Sequence, residues 1–233
     1  MRNQVDYAKD EFDKAVELGD TDNDILKEAA DFYYSISDFS RAEELYKSSL
    51  KLEDNPYTRL ALGINMIAQN RIDEAFAMLE PLLSSLPDNA ELLYNLARIF
   101  YVKKDFDSAA RLTRKAYYVV PTIEIANLMG LCQKELGDYK GAAGIFEKII
   151  EQYPMNKYVY DELISCYEQF NDVDAIINTY KKANEHLIYD EERVMKFAKL
   201  LANNGKNDEA KQILEKANFD YPSENLKNLL LEL

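Results

Sequence analysis

The chain has 233 residues, a formal net charge of -14 and an apolar share of 47%. That much apolar material can bury a core, so the acidity does not mark a disordered tail, and it excludes the Lys- and Arg-driven grip on phosphate behind non-specific nucleic-acid binding and docking on anionic lipid. Seven Gly and six Pro are about half the share of an ordinary globular chain, which disfavours sheets joined by tight turns and favours helices.

The predicted elements recur with a fixed period. Ala8, Phe12 and Ala15 open the chain as the second half of a unit whose first half is missing. Ala30, Ala42, Tyr46 and Ser49 follow, with Asp54 where later copies place Pro. Gly63, Ala75, Leu79, Leu82 and Pro87 repeat the pattern, then Ala97, Ala109, Thr113, Ala116 and Pro121, with Thr in the large place. Gly130, Ala142, Phe146, Ile149 and Pro154 match again. The fifth copy keeps Leu163, Tyr167, Tyr180 and Ala183 but has Ile176 for the expected Ala; the sixth has Ala198, Ala210, Leu214, Ala217 and Pro222. The central residue advances by 33 or 34 positions each time, through Ala8, Ala42, Ala75, Ala109, Ala142, Ile176 and Ala210.

Each period reads as two amphipathic helices. In NAELLYNLARIFYVKKD, Leu93, Leu96, Ala97 and Phe100 fall on one helical face. A short polar turn follows, and then the second helix, DSAARLTRKAYYVV. Asp commonly begins the second helix, where its carboxylate accepts free amide hydrogens, and Pro stops it. Ala or Gly on facing surfaces lets two helices approach closely while a large residue on the partner fills the gap. One pair cannot cover its own apolar face, so stability comes from stacking on the next.

This pattern resembles the tetratricopeptide repeat over nearly the whole chain, although no copy has the Trp that often opens the first helix. The resemblance implies an all-α fold, a right-handed superhelical α-solenoid of antiparallel helix pairs in one domain over 1–233. It comprises a half repeat at about 3–20, repeats at about 23–55, 56–89, 90–122, 123–156, 157–190 and 191–222, and a C-terminal capping helix at 223–233. It also implies that the first helices line a concave groove and that the chain is a scaffold holding a peptide or a folded partner.

Residues one step off the core stripe are then the groove candidates: Tyr57, Leu60, Ile64 and Ile67 in the second copy, Tyr94, Asn95, Arg98 and Tyr101 in the third. Asn127, Leu131 and Lys134 follow in the fourth copy, and Tyr158 and Asp161 in the fifth. The first helix of the second copy, TRLALGINMIAQ, is apolar on nearly all sides, which means either full burial or a partner. Tyr57, Tyr94 and Tyr101 beside it suit a binding surface or a core equally. Glu124, Asp161 and Glu168 make the later groove acidic, relieved by Arg98 and Lys134, so the fitting partner is apolar with some basic character. Some tetratricopeptide domains grip the C-terminal carboxylate of heat-shock chaperones with Lys, Asn, Asn, Lys and Arg. The matching places here hold Lys27, Asp31, Ala61, Glu91 and Asn95; only the Lys survives, so no such tail is expected as a ligand.

No catalytic constellation is legible. The one histidine, His186, falls near the end of a second helix, and Cys132 and Cys166 occupy the same place in adjacent copies, about 10 Å apart and beyond disulfide reach. The Gly pair in KGAAGIF lies on a helix without Walker spacing. No enzyme activity, cofactor or metal is expected. No stretch has the roughly 18 apolar residues of a membrane span, and the start has no signal-peptide core, so a cytoplasmic chain without membrane insertion is expected. Both ends look uncovered: Val5, Phe12 and Val16 at one, SENLKNLLLEL at the other. That suggests head-to-tail self-assembly into a homo-oligomer, or a segment of a larger multi-domain protein.

Overall fold

The computed structural model describes residues 2–17 and 22–233, and every regular element among them is helical. Residues 18–20 of the expected half repeat lie outside the described residues. Two compact units result, Met1–Pro121 and Thr122–Leu233. The first holds α1 (Arg2–Glu17), the pair α2 (Asn23–Ser35) and α3 (Phe39–Leu52), the pair α4 (Pro56–Ala68) and α5 (Ile72–Leu79), and the pair α6 (Ala90–Val102) and α7 (Phe106–Val119). A short 3₁₀ segment, Glu80–Ser84, extends α5. In the second unit α8 (Ile123–Glu135) pairs with α9 (Tyr139–Gln152), α10 (Lys157–Gln169) with α11 (Val173–His186), and α12 (Glu191–Asn203) with α13 (Asn207–Asp220); α14 (Glu224–Glu232) closes it.

Local chemistry sets these boundaries. Asp38, Asp105, Asp138 and Asp172 each cap a second helix by accepting the amide three residues on. α5 and α13 start instead at Arg71 and Lys206, without a side-chain cap. The turn inside each pair passes through one left-handed residue: Ser37, Asn70, Lys104, Gly137, Asn171 and Gly205. There the chain reverses with the amide bonding back to the end of the first helix, as Gly137 does to the Lys134 carbonyl.

Close approach within each pair is direct. A methyl placed on Gly63 would lie 2.4 Å from a Leu79 methyl carbon, and one on Gly130 would lie 2.7 Å from the Phe146 ring. Where Thr113 takes the large place it is fully buried and its hydroxyl donates to the carbonyls of Ala109 and Ala110. The fifth pair departs: Ile164 and Ile176, both buried, stand at its two small positions. In the second unit one apolar cluster runs through α8 to α11 and another through α11 to α14.

Tyrosine serves the core in a particular way. Tyr33, Tyr46 and Tyr167 bury their rings and donate their hydroxyls to Asp13 (2.5 Å), Asp31 (2.6 Å) and Glu147 (2.5 Å). Burial first, and these hydrogen bonds second, push all three phenols up, Tyr33 to about 12.

Polar ties join successive pairs. Glu43 on α3 accepts from Arg71 at 2.5 Å and Gln69 at 3.1 Å, both in the α4–α5 turn, and pairs with Lys47 at 2.6 Å. Burial would raise its carboxyl, but the hydrogen bonds of Lys47, Arg71 and Gln69 outweigh it and lower it to about 2.

The ends are better covered than the sequence suggests. The Phe12 ring lies 5.1 Å from that of Phe32, and Val16 is half-buried; only Val5 of the three is exposed. α14 buries Leu226 and Leu229, leaving Leu231 outward. Cys132 and Cys166 are both buried, and burial pushes the Cys166 thiol up to about 11. No helix among the described residues is long and apolar enough to cross a membrane.

Two stability outcomes follow. Gly130→Ala should lose about 1–3 kcal/mol through overpacking against Phe146, whereas Gly144→Ala, with open space around it, should gain about 0.5–1 kcal/mol; urea unfolding midpoints distinguish them, and equal shifts would refute the close-contact account. Glu43→Gln should cost about 1–3 kcal/mol at neutral pH. Because the folded-state pKa lies below the ordinary 4.5, the charged group stabilises fully above that value and its contribution is lost as pH falls toward about 2. The gap between parent and variant in urea midpoint should therefore close between those limits.

Candidate functional site

In the first unit, α2, α4 and α6 bring most of the second-copy candidates together. Tyr57, Leu60 and Ile64 line a cavity of about 280 Å³ with Lys27, Asp31, Tyr34, Tyr46, Ala61 and Glu91. α4 explains the convergence. Its two inner sides bury Leu62, Gly63 and Met66, and Leu60 is 3% exposed at the cavity floor. Ala61 and Ile64, half-buried, continue that floor, and the Tyr57 ring is 54% exposed at the mouth. The all-round apolar helix is thus partly core and partly cavity lining.

The charges here are already arranged. Asp31 accepts from Lys27 at 2.7 Å and from the Tyr46 hydroxyl at 2.6 Å, so the lysine is neutralised. Glu91 lies exposed at the rim. Four of the five places that match the chaperone-tail clamp, Lys27, Asp31, Ala61 and Glu91, are cavity lining, and their balance is acidic rather than basic.

The remaining candidates of this unit sit differently. Ile67 is half-buried. Tyr94 is half-buried with the Arg98 guanidinium 5.8 Å from its ring centre, and Tyr101 stands edge-on to Phe106 at 5.4 Å. Asn95 departs from the expected outward placement. It is 4% exposed, donates to the Glu91 carbonyl at 2.9 Å and accepts from Arg98 at 3.1 Å, so it ties one turn of α6 to the next.

In the second unit, Lys134 donates to Glu162 at 2.7 Å across α8 and α10. Leu131 packs half-buried on the apolar cluster. The Asn127 side-chain oxygen is buried without a hydrogen-bond partner among the described residues. Tyr158 and Asp161 are exposed on α10; desolvation raises the Asp161 carboxyl against the pull of Lys157 and Lys196.

Tyr46 was legible only as a core residue, because periodicity locates its ring and not its hydroxyl. Arg193 was not singled out, although the period sets it in register with Thr58, Leu92, Ile125 and Val159, all of them buried; it is a cation in the first turn of α12 and is 7% exposed.

Helix pairs turned by one left-handed residue, and packed in most copies through a small-to-large contact, define an all-α helical-repeat protein. Tetratricopeptide repeat family models match residues 66–132 and 128–154. Residues 66–154 are thus recognised as tetratricopeptide repeats. Solved structures similar in fold include a tetratricopeptide repeat protein from Parabacteroides merdae, with a TM-score of 0.65 at 16% identity over 98% of this chain and 92% of that one. Pseudomonas aeruginosa pilF matches with a TM-score of 0.67 at 16% identity, over 97% of this chain and 100% of the other. MamA gives 0.62 at 23% identity, over 75% and 94%. At these identities the likeness concerns the fold alone. A sequence relative, the Protein CTR9 homolog of Arabidopsis thaliana, is 26% identical over 121 residues, 51% of this chain, and the match spans 11% of that protein's length.

Proposed function

We propose that the chain is a non-enzymatic scaffold that binds a protein segment on the face formed by α2, α4 and α6, with a Lys or Arg side chain of the partner entering the cavity there. The carrying observation is the convergence of Tyr57, Leu60, Ile64 and Glu91 on one cavity of about 280 Å³. That size falls just below the roughly 300–1,000 Å³ of small-molecule pockets and suits one large side chain. A long cationic side chain would lay its methylene stem on Leu60, Ala61 and Ile64. Its charge would meet Glu91 at the rim, and Tyr34 and Tyr57 would supply aromatic faces. The net charge of -14 would speed association with such a partner and disfavour nucleic acid and the anionic tail of a heat-shock chaperone.

On this reading residues 1–233 make one repeat domain with the boundaries given above. Tyr158 and Asp161, exposed on α10, offer the second unit's own contacts.

Screening the full chain against a peptide array and repeating the measurement with Ile64→Ala and Glu91→Lys tests the proposal. Each variant should weaken the best binder by about tenfold, with Glu91→Lys acting mainly on peptides that carry a basic residue. Parent-like binding in both would remove this face from consideration.

End-to-end self-association is the second reading, favoured by Val5 and Tyr7 exposed on α1 and Leu231 on α14. Sedimentation velocity from micromolar to near-millimolar protein decides it: growth with concentration is expected, and a strict monomer throughout sinks it.

A further inference from the structure

A second cavity, of about 570 Å³, opens in the second unit between α11, α12 and α13. Its floor is apolar, with Val194 and Phe197 buried there and Leu187, Ile213 and Ala217 beside them. One wall is the stacked pair Tyr189 and Tyr221, ring centres 4.0 Å apart. The Tyr189 hydroxyl is buried and has no hydrogen-bond partner among the described residues.

Arg193 stands in this cavity with 7% of its surface exposed. Arginine is almost never so buried without a carboxylate, because a charge stripped of water needs an opposite charge to offset the loss. The partners Arg193 has are neutral oxygens: Nε donates to the Asn184 side chain at 2.9 Å and Nη2 to the Ile188 carbonyl at 2.8 Å. The nearest acid in sequence, Asp190, is occupied elsewhere. Its carboxylate accepts from Lys157 at 2.5 Å and from the Arg193 backbone amide at 3.0 Å. Among the described residues no acid forms an ion pair with the guanidinium. The other charged residues lining the cavity lie toward water and leave one net negative charge at its rim: Lys181 pairs with Glu209 at 3.3 Å, while Glu185, Lys216 and Asp220 are exposed. Rim charges are screened by solvent; the buried cation has only neutral oxygens as side-chain hydrogen-bond partners, with the Asp190 and Asp161 carboxylates acting on it at longer range.

We propose that this cavity is a second protein-binding site, of opposite preference to the first, which takes a Glu or Asp side chain flanked by an apolar residue from a partner segment. The carboxylate accepts from the Arg193 guanidinium and the Tyr189 hydroxyl, and the apolar neighbour covers Phe197 and Ile213. A cavity about twice the volume of the first accommodates a pair of side chains rather than a bare ion. This site is independent of the α2–α4–α6 face, so either can fail without the other.

The test uses nitrogen-15-labelled full chain, titrated with the capped tripeptide acetyl-Leu-Glu-Leu-amide, its Gln analogue and inorganic phosphate. The Glu peptide should shift the Arg193 Nε–H signal and the amides of α11 and α13, leaving those of α2 to α6 in place, and should bind about tenfold tighter than the Gln analogue. Arg193→Gln should abolish that preference. Since losing Arg193 also releases the Ile188 turn, Lys216→Glu, an exposed change that leaves the turn intact, provides an independent arm and should weaken the Glu peptide several-fold. Equal binding of the Glu and Gln peptides, an unmoved Arg193 signal, or a response to phosphate with none to the peptide would each overturn the proposal.

Discussion

Each pair depends on how closely its two helices approach. Gly63 against Leu79 and Gly130 against Phe146 leave no room for a single methyl, and Ala30, Ala97 and Ala198 are fully buried at the matching places. The contact brings the helix axes near enough for a Leu, Tyr or Phe on the second helix to fill the space behind the first. Because this contact is local in sequence, sixteen residues from Gly63 to Leu79 and from Gly130 to Phe146, each pair is specified by its own copy. Ties such as Glu43 to Arg71 then join one copy to the next.

The same geometry generates the candidate sites. A first helix whose inner sides are committed to its partner and its neighbour retains one outer strip. In α4 that strip is apolar and becomes the floor of a cavity, with Tyr57 at its mouth and Glu91 contributed by α6. In α6 the strip turns partly inward, where Asn95 is spent on its own helix. In α12 a cation stands at a place that Thr58, Leu92, Ile125 and Val159 bury in the other copies, and it reaches under the loop at Ile188, where it lines a separate hollow. Small differences in side chain at equivalent places therefore create chemically distinct surfaces on one repeating frame.

The helices, their pairing and most of their boundaries were legible in the sequence, because they rest on local signals: a 33- or 34-residue period, Asp caps, and small residues opposite large ones. Burial at single positions was harder to read. Asn95 and Tyr94 are neighbours on α6, yet the first is buried and the second only half so, since one step around a helix moves a side chain by about 100° and the groove margin is narrower than that. Phe12 was legible as apolar but not as covered; its cover, Phe32, lies on the next helix. Arg193 shows the reverse case. Its burial follows the register of Thr58, Leu92, Ile125 and Val159, but the partners of its charged head depend on the path of the α11–α12 loop, which periodicity does not specify.

The left-handed turns carry a different lesson. Six occur at one phase, and they are filled by Ser37, Asn70, Lys104, Gly137, Asn171 and Gly205. Glycine adopts that backbone without strain and asparagine with little, while serine and lysine do so at a cost of about 1 kcal/mol. A position that accepts four chemically unrelated side chains is read by the chain as a dihedral angle rather than as a residue. Side-chain identity there is decoupled from the packing of the pairs, so these corners are where tags, charges or spectroscopic labels can be introduced with least disturbance to either proposed binding face.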